Sequence, residues 1–314
     1  MRTMRATDGV PRLAGWIAAS TVALMGLGGA VHATGSSLAC PDWPLCYGQL
    51  LPRMVGGVAL EHSHRLLASL VAGLTVLLAV LAHRRRDVAP GRARLAWLAL
   101  ALVAVQAVLG GVTVLLELSA VASTLHLGVS MLYLTTLTVV AVDPAPSRAI
   151  APRRLRRWVG LAWGALFAQI VLGGLVRHTG AAMACGREPV LCSGEVWPGV
   201  LLAQLQMAHR AGAVLVAVLV VALSAVVAAV RPRAQAPAAA AAVLVLAQIG
   251  LGVWSVAGAL PVAAVTLHLV VAALLLTSLT LLGLRLGMRR AERAPAPDPE
   301  ERRGLAAPPV SPGA

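Results

Sequence analysis

Apolar and polar positions alternate along this chain in long blocks, with eight apolar runs separated by short polar connections. A helix needs about 20 mostly apolar residues to cross a bilayer. The pattern predicts spans over roughly 13–33, 62–82, 95–116, 121–141, 157–176, 203–230, 237–257 and 262–286. Little more than Glu117-Leu118-Ser119 separates the third span from the fourth, and a short turn near Pro261 separates the seventh from the eighth. Both pairs are therefore expected to be tight antiparallel hairpins. The first run has the outline of a secretory signal ending near Ala-Val-His-Ala. Its continuation recurs later in the chain, so it is read as a span.

That recurrence is the main organising feature. Gly28-Gly29 through Thr34-Gly35 to Cys40 lines up with Gly173-Gly174 through Thr179-Gly180 to Cys185, at an offset of 145. His64-Arg65 and His209-Arg210 share that offset. Gln106, Thr124, Leu125 and His126 match Gln248, Thr266, Leu267 and His268 at an offset of 142. A duplicated unit of four spans re-enters the membrane from the same side, giving parallel repeats related by an axis along the membrane normal. The expected fold is an all-α integral membrane protein, with eight transmembrane helices as two tandem, pseudo-twofold-related four-helix bundles. The expected divisions are a first bundle over 1–142, a cytoplasmic linker over 143–156, a second bundle over 157–288 and a disordered cytoplasmic tail over 289–314.

Composition agrees. Hydrophobic residues make up 59% of the 314 and charged residues 12%, against about 25% charged in soluble domains. The net charge of +14 comes from 26 basic residues, all arginine. They gather before the first span, in every second connection and after the last span. Positive-inside asymmetry explains this better than nucleic acid does. It puts both termini in the cytoplasm and the two cysteine-bearing loops on the outer face of the cell membrane.

Ionisable side chains inside spans are rare and usually functional. His64, His126, His209 and His268 each fall shortly after the outer end of their span. The second and fourth helices of an up-down bundle are diagonal, so each half brings two imidazoles together across its core. Such a pair suits the two axial positions of a haem iron, whereas zinc needs further ligands. His62 and His83 lack repeat partners and are expected at the interface. His32 and His178 are adjacent in the repeat register, not equivalent, and are expected in loops. Glu61 lies one turn before His64, while the second half has Gln206 at the matching position. A carboxylate at one site and an amide at the other implies different chemistry in the two halves. The plainer alternative is an ion pair between Glu61 and Arg65. Arg65 and Arg210 are candidates for haem propionate contacts or for anchoring the outer interface. Cys40 with Cys46 and Cys185 with Cys192 form two close pairs in outward loops. Disulfides persist on that side, so intraloop disulfides or redox-active thiols are favoured over metal sites.

The segment Cys40-Pro41-Asp42-Trp43-Pro44-Leu45-Cys46, the Gly28-Gly29 to Thr34-Gly35 stretch before it, and Glu61-x-x-His64-Arg65 after it resemble the haem A synthase family. The resemblance runs through residue 286. It departs at His32, where the family usually has arginine, and in the less regular second cysteine loop. It implies oxidation of the C8 methyl of haem O to a formyl group by successive hydroxylations. In that picture His64 and His126 flank haem O, Glu61 is catalytic, and His209 and His268 hold a haem b cofactor that relays electrons. Haem O would come from haem O synthase, a membrane farnesyltransferase, and the product would pass to cytochrome oxidase assembly. Membrane lipid surrounds the protein, nucleic acid is not a partner, and a homo-oligomer is left open. The competing reading is a membrane di-haem cytochrome b that carries electrons without modifying a substrate.

Overall fold

A computed structural model describes residues 9–142 and 150–287. Eight long helices run in order: α1 Gly9–Ala33, α2 Gly56–His83, α3 Pro90–Leu115, α4 Ala120–Ala141, α5 Arg153–His178, α6 Leu201–Val230, α7 Gln235–Ala257 and α8 Val262–Arg285. All eight are long and apolar enough to cross a membrane. The helices outrun the apolar stretches because helical hydrogen bonding continues into the polar boundary. Thus α2 begins at Gly56, so Glu61 belongs to the helix and does not precede it. α3 begins at Pro90, whose fixed φ and missing N–H suit a first helical position. α5 starts at Arg153, inside the expected linker. The remainder of that linker, 143–149, and the expected tail lie outside the described residues.

The helices α1–α2–α3–α4 close into one ring and α5–α6–α7–α8 into another, with α2 diagonal to α4 and α6 diagonal to α8. α1 packs on α8, α4 packs on α5, and α4 meets α8 between them. Exchanging the halves maps each of these contacts onto another or onto itself, as a pseudo-twofold axis requires. Gly29 and Gly174 serve the seam. A Cβ on Gly29 would lie 3.2 Å from Leu269 Cδ2, and one on Gly174 would lie 2.6 Å from Leu127 Cδ2. Leu127 and Leu269 are themselves repeat partners.

The cores follow the same division. Ile17, Val71, Leu78, Leu137 and Val140 fill the first bundle. Leu275, Leu276, Leu279 and Leu282 fill the second, in a cluster that extends to Met25 and Met131 across the seam. Lipid explains the apolar side chains left outside, such as Leu70 on α2 and Leu215 on α6, which are 57% and 68% exposed. Several buried hydroxyls within the spans bond to the carbonyl one turn back, as Thr21 does to Ile17 (2.8 Å) and Thr280 to Leu276 (2.8 Å). Without such a partner each would carry an unsatisfied polar group in a medium that cannot supply one.

Candidate functional site

The four repeat-related histidines stand at matched depths. His64 is eight positions past the first residue of α2 and His209 eight past that of α6. His126 and His268 are each six past the first residues of α4 and α8. At about 1.5 Å per residue, all four lie roughly 9–12 Å in from the end that carries the cysteine loops. His64 lies close enough to His126, and His268 to His209, for a charge on one ring to bear on the other. The structure therefore brings together the two pairs expected from the repeat.

Each ring lies against a glycine of a neighbouring helix, again in duplicate. A Cβ on Gly28 would sit 2.9 Å from His64 Nε2, and one on Gly173 would sit 2.7 Å from His209 Cε1. On the other side, Gly110 faces His126 Cε1 at 3.5 Å and Gly252 faces His268 Cε1 at 3.3 Å. Any larger residue at Gly28 or Gly173 would push its imidazole aside. The Nδ1 atoms of His126 and His268 and the Oε1 atoms of Gln106 and Gln248 are buried without a hydrogen-bond partner. Gln106 and Gln248 each lie one turn before Gly110 and Gly252. Orphaned polar atoms in two equivalent places mark sites shaped for something besides protein. Half-buried imidazoles and glycine cradles fit a flat, largely apolar macrocycle with a central metal. The halves differ in ring support. Gln169 contacts His209 Nδ1 at 2.9 Å and donates to the His209 carbonyl at 2.7 Å, whereas Leu24 occupies the matching position in α1.

Two disulfides, Cys40–Cys46 and Cys185–Cys192, close the loops above the pairs. Tyr47-Gly48 and Ser193-Gly194 all have positive φ. These turns let Cys46 pair with Gln49 and Cys192 with Glu195, in the manner of a type I′ hairpin. Glu61 is buried, and both its oxygens are used. Oε2 accepts from Cys40 N–H at 2.8 Å, and Oε1 pairs with Arg65 Nη2 at 2.5 Å. Arg65 also donates to the carbonyls of Asp42 (2.6 Å), Cys40 (3.1 Å) and Leu45. The plain alternative of an ion pair thus has its geometry, and it fastens the first loop to α2. In the second half Gln206 accepts from Cys185 N–H at 3.0 Å, and Arg210 donates to the Leu191 carbonyl at 2.9 Å. Arg210 keeps Nη2 buried and unpartnered.

Three placements differ from the sequence reading. His62 is buried, not interfacial. It bonds to the Leu50 carbonyl at 2.9 Å, and one of its nitrogens lies within 4.8 Å of both sulfurs of the first disulfide. The loop folds back over the first turns of α2 and covers it. His32 and His178 are in the last turns of α1 and α5, not in loops, because Thr34 and Thr179 bond back to Ala30 and Leu175 and extend the helices. Their rings meet edge to face with centroids 5.3 Å apart. Trp43, given no place beyond its motif, reaches α3, where a Cβ on Gly111 would meet its ring at 2.9 Å. The adjacent Gly110-Gly111 pair was the available signal. Gln169 gave none, because the first half has no polar residue there.

These features define a multi-pass membrane protein of two duplicated four-helix units, each with a facing histidine pair beneath a disulfide-closed loop. Residues 57–280 match the model of a family described as cytochrome oxidase assembly protein (COX15-CtaA). Over 207 residues the chain is 31% identical to a heme A synthase of Shouchella clausii, covering 62% of this chain and 68% of that protein. Over another 207 residues it is 32% identical to a heme A synthase of Halalkalibacterium halodurans, covering 62% and 69%. A third, of Alkalihalophilus pseudofirmus, is 30% identical over 181 residues, covering 55% and 61%. The chain belongs to this family, that of the haem A synthases.

Proposed function

We propose that this protein is a haem A synthase, an oxidoreductase converting haem O to haem A in the assembly of cytochrome oxidase. The duplicated histidine pair, set in matched glycine cradles but beneath unlike loops, carries the reading. Two like sites suit two porphyrins, and the differing loops suit different fates for them. The first half takes haem O between His64 and His126, and its C8 methyl is oxidised to a formyl group through successive hydroxylations. The second half holds haem b on His209 and His268. Haem b, when bound, supplies one-electron redox chemistry.

The chain's own residues orient and enclose. Gln169 donates its amide N–H groups to His209 Nδ1 and to the His209 carbonyl and so holds the ring in place before any haem binds. Arg210, with Nη2 free, is placed to receive a propionate in the second half. Arg65 is committed to the first loop and keeps Cys40–Cys46 and Trp43 over the first site, where they exclude water. Glu61 places a buried negative charge one turn from His64. We assign it the handling of proton or positive charge beside the substrate, where Gln206 offers none. The arginine asymmetry supports cytoplasmic termini and sites that face outward. Haem O synthase is the corresponding donor.

The test is haem extraction and chromatography from cells that make haem O but cannot convert it, with and without this protein. Appearance of haem A is the expected result. Haem O and haem b bound with no haem A would instead support the electron carrier, and no bound haem would sink the bis-histidine reading.

A further inference from the structure

The seam between the halves holds a polar cluster that neither histidine pair uses. His32 comes from the last turn of α1, and Arg177 and His178 from that of α5. The His32 and His178 rings touch edge to face, and both feel the Arg177 charge. His178 Nδ1 lies 3.1 Å from Thr124 Oγ1 on α4. Thr124 is two residues before His126, and His178 feels the His126 ring as well.

This contact has no counterpart across the pseudo-twofold axis. The residue matching His178 is Ala33, and the one matching Thr124 is Thr266, whose Oγ1 is buried without a partner. The second half therefore reaches into the first-half site, and the first half does not reciprocate. Gly174, one turn before His178, lets α5 approach α4 closely enough for this.

Arg177 is half-buried, and among the described residues its side chain has no hydrogen-bond acceptor and no carboxylate. A half-buried guanidinium without an anion is partly desolvated, a cost that a bound carboxylate would offset. Its planar fork of donors matches a carboxylate. In the first half that need is mutual. Arg65, the nearest equivalent of Arg210, has spent both terminal nitrogens on Glu61 and the loop carbonyls. Among the described residues, the other arginine on that side of the first half, Arg53, is exposed in the loop before α2 rather than set among the helices.

We infer that Arg177, flanked by His178 and His32, is the carboxylate-binding end of the first-half site, receiving a propionate of the substrate porphyrin from across the seam. The inference rests on the reading that the first half binds haem O. It makes that site composite, complete only when both halves are docked.

The experiment uses the purified full chain carrying haem b and titrates haem O, and separately its propionate dimethyl ester, by absorbance. Wild type is expected to bind the free acid at least about tenfold more tightly than the diester, as for a charge-assisted pair. Arg177→Gln should lose affinity for the free acid by a similar factor and bind the two ligands alike. Arg177→Lys should fall between. Retention of haem b and its spectrum reports folding in each variant. Undiminished preference for the free acid in Arg177→Gln overturns the inference, as does equal binding of acid and diester by wild type. Loss of haem b alone from Arg177→Gln overturns it by assigning Arg177 to the second half. If wild type takes up no haem O, the functional reading itself fails, a separate and visible outcome.

Discussion

The two halves share most of their backbone, including several left-handed residues of their loops, yet their side chains diverge around the first site. Glu117-Leu118 and Ala259-Leu260 adopt the same positive φ, as do Gly35 and Gly180. The histidines, their glycine cradles and the disulfides also repeat. Around the first site, however, charged, polar or aromatic groups mostly stand where the second has amide or apolar ones, Gln169 against Leu24 being the reverse case. Glu61 faces Gln206, and His62 faces Met207, which packs on the second disulfide. Trp43 rests on Gly111, where the second half has Val253. Thr75 and Tyr133 bond at 2.5 Å between the diagonal helices α2 and α4, while Val220 and Leu275 take their places. The shared features are those needed to hold a flat ligand by its metal. The unshared ones surround the site where our reading places chemistry, so the second half serves as an internal control for the first.

The comparison breaks most sharply at the histidines. His64→Ala or His126→Ala should abolish haem A formation while leaving haem b in place. His209→Ala or His268→Ala should remove haem b. Pyridine haemochrome spectra and haem chromatography of the purified variants separate these outcomes. Loss of haem b from a first-half variant would show that the halves are not independent sites.

Glu61→Gln copies the second half at a single position. Glutamine still accepts from Cys40 N–H, as Gln206 does from Cys185, but it turns an amide N–H toward Arg65. The melting temperature should therefore fall with the lost ion pair, while the Arg65 bonds to the loop carbonyls keep the loop over the site. If the charge acts on the reacting group, haem A formation should drop by about 100-fold or more, the usual scale for a general acid or base. A variant that works at the wild-type rate would reduce Glu61 to an anchor. Gly111→Val comes next in size. The added side chain would overlap the Trp43 ring and lift it from α3, opening the first site alone. Haem A formation should fall about tenfold, for a loss near 1.4 kcal/mol, with haem b content and spectrum unchanged.

The parts of this arrangement legible in the sequence are those set by periodicity and duplication. Eight apolar runs gave the helices to within a few residues, and the 145 and 142 offsets paired the four histidines before any geometry was known. What stayed hidden depends on how a loop folds back on a helix. His62 looked interfacial because hydropathy ends near it, and only the covering loop buries it. His32 and His178 looked unrelated because they occupy different repeat positions. Their contact exists because the axis brings the last turns of α1 and α5 together. The role of Glu61 as a loop fastener was likewise invisible, since its Cys40 N–H partner lies 21 residues away.

The smallest expected effect concerns the loops themselves. The Asp42 carboxylate accepts from Gly48 N–H at 2.8 Å and Tyr47 N–H at 2.6 Å. Chiefly the Gly48 hydrogen bond, with that of Tyr47 and the nearby Arg65 charge, holds its pKa below the usual carboxylate value. A lowered carboxylate pKa means the folded loop prefers the ionised form. Its contribution is therefore complete above the ordinary carboxylate pKa and is lost as pH falls through the lowered value. The second loop has only a 3.5 Å contact from Gly194 N–H to Glu188. Hydrogen exchange at the Tyr47 and Gly48 amides should accelerate, relative to Ser193 and Gly194, only once acid passes the ordinary carboxylate range. Asp42→Asn should remove that pH dependence and leave the Cys40–Cys46 bond intact. Because Asp42 is solvent-exposed, screening keeps the effect small, and global unfolding should not follow the same curve. An acceleration equal in both loops would show that Asp42 does not distinguish them, and that the tighter closure over the first site comes from Glu61 and Arg65 alone.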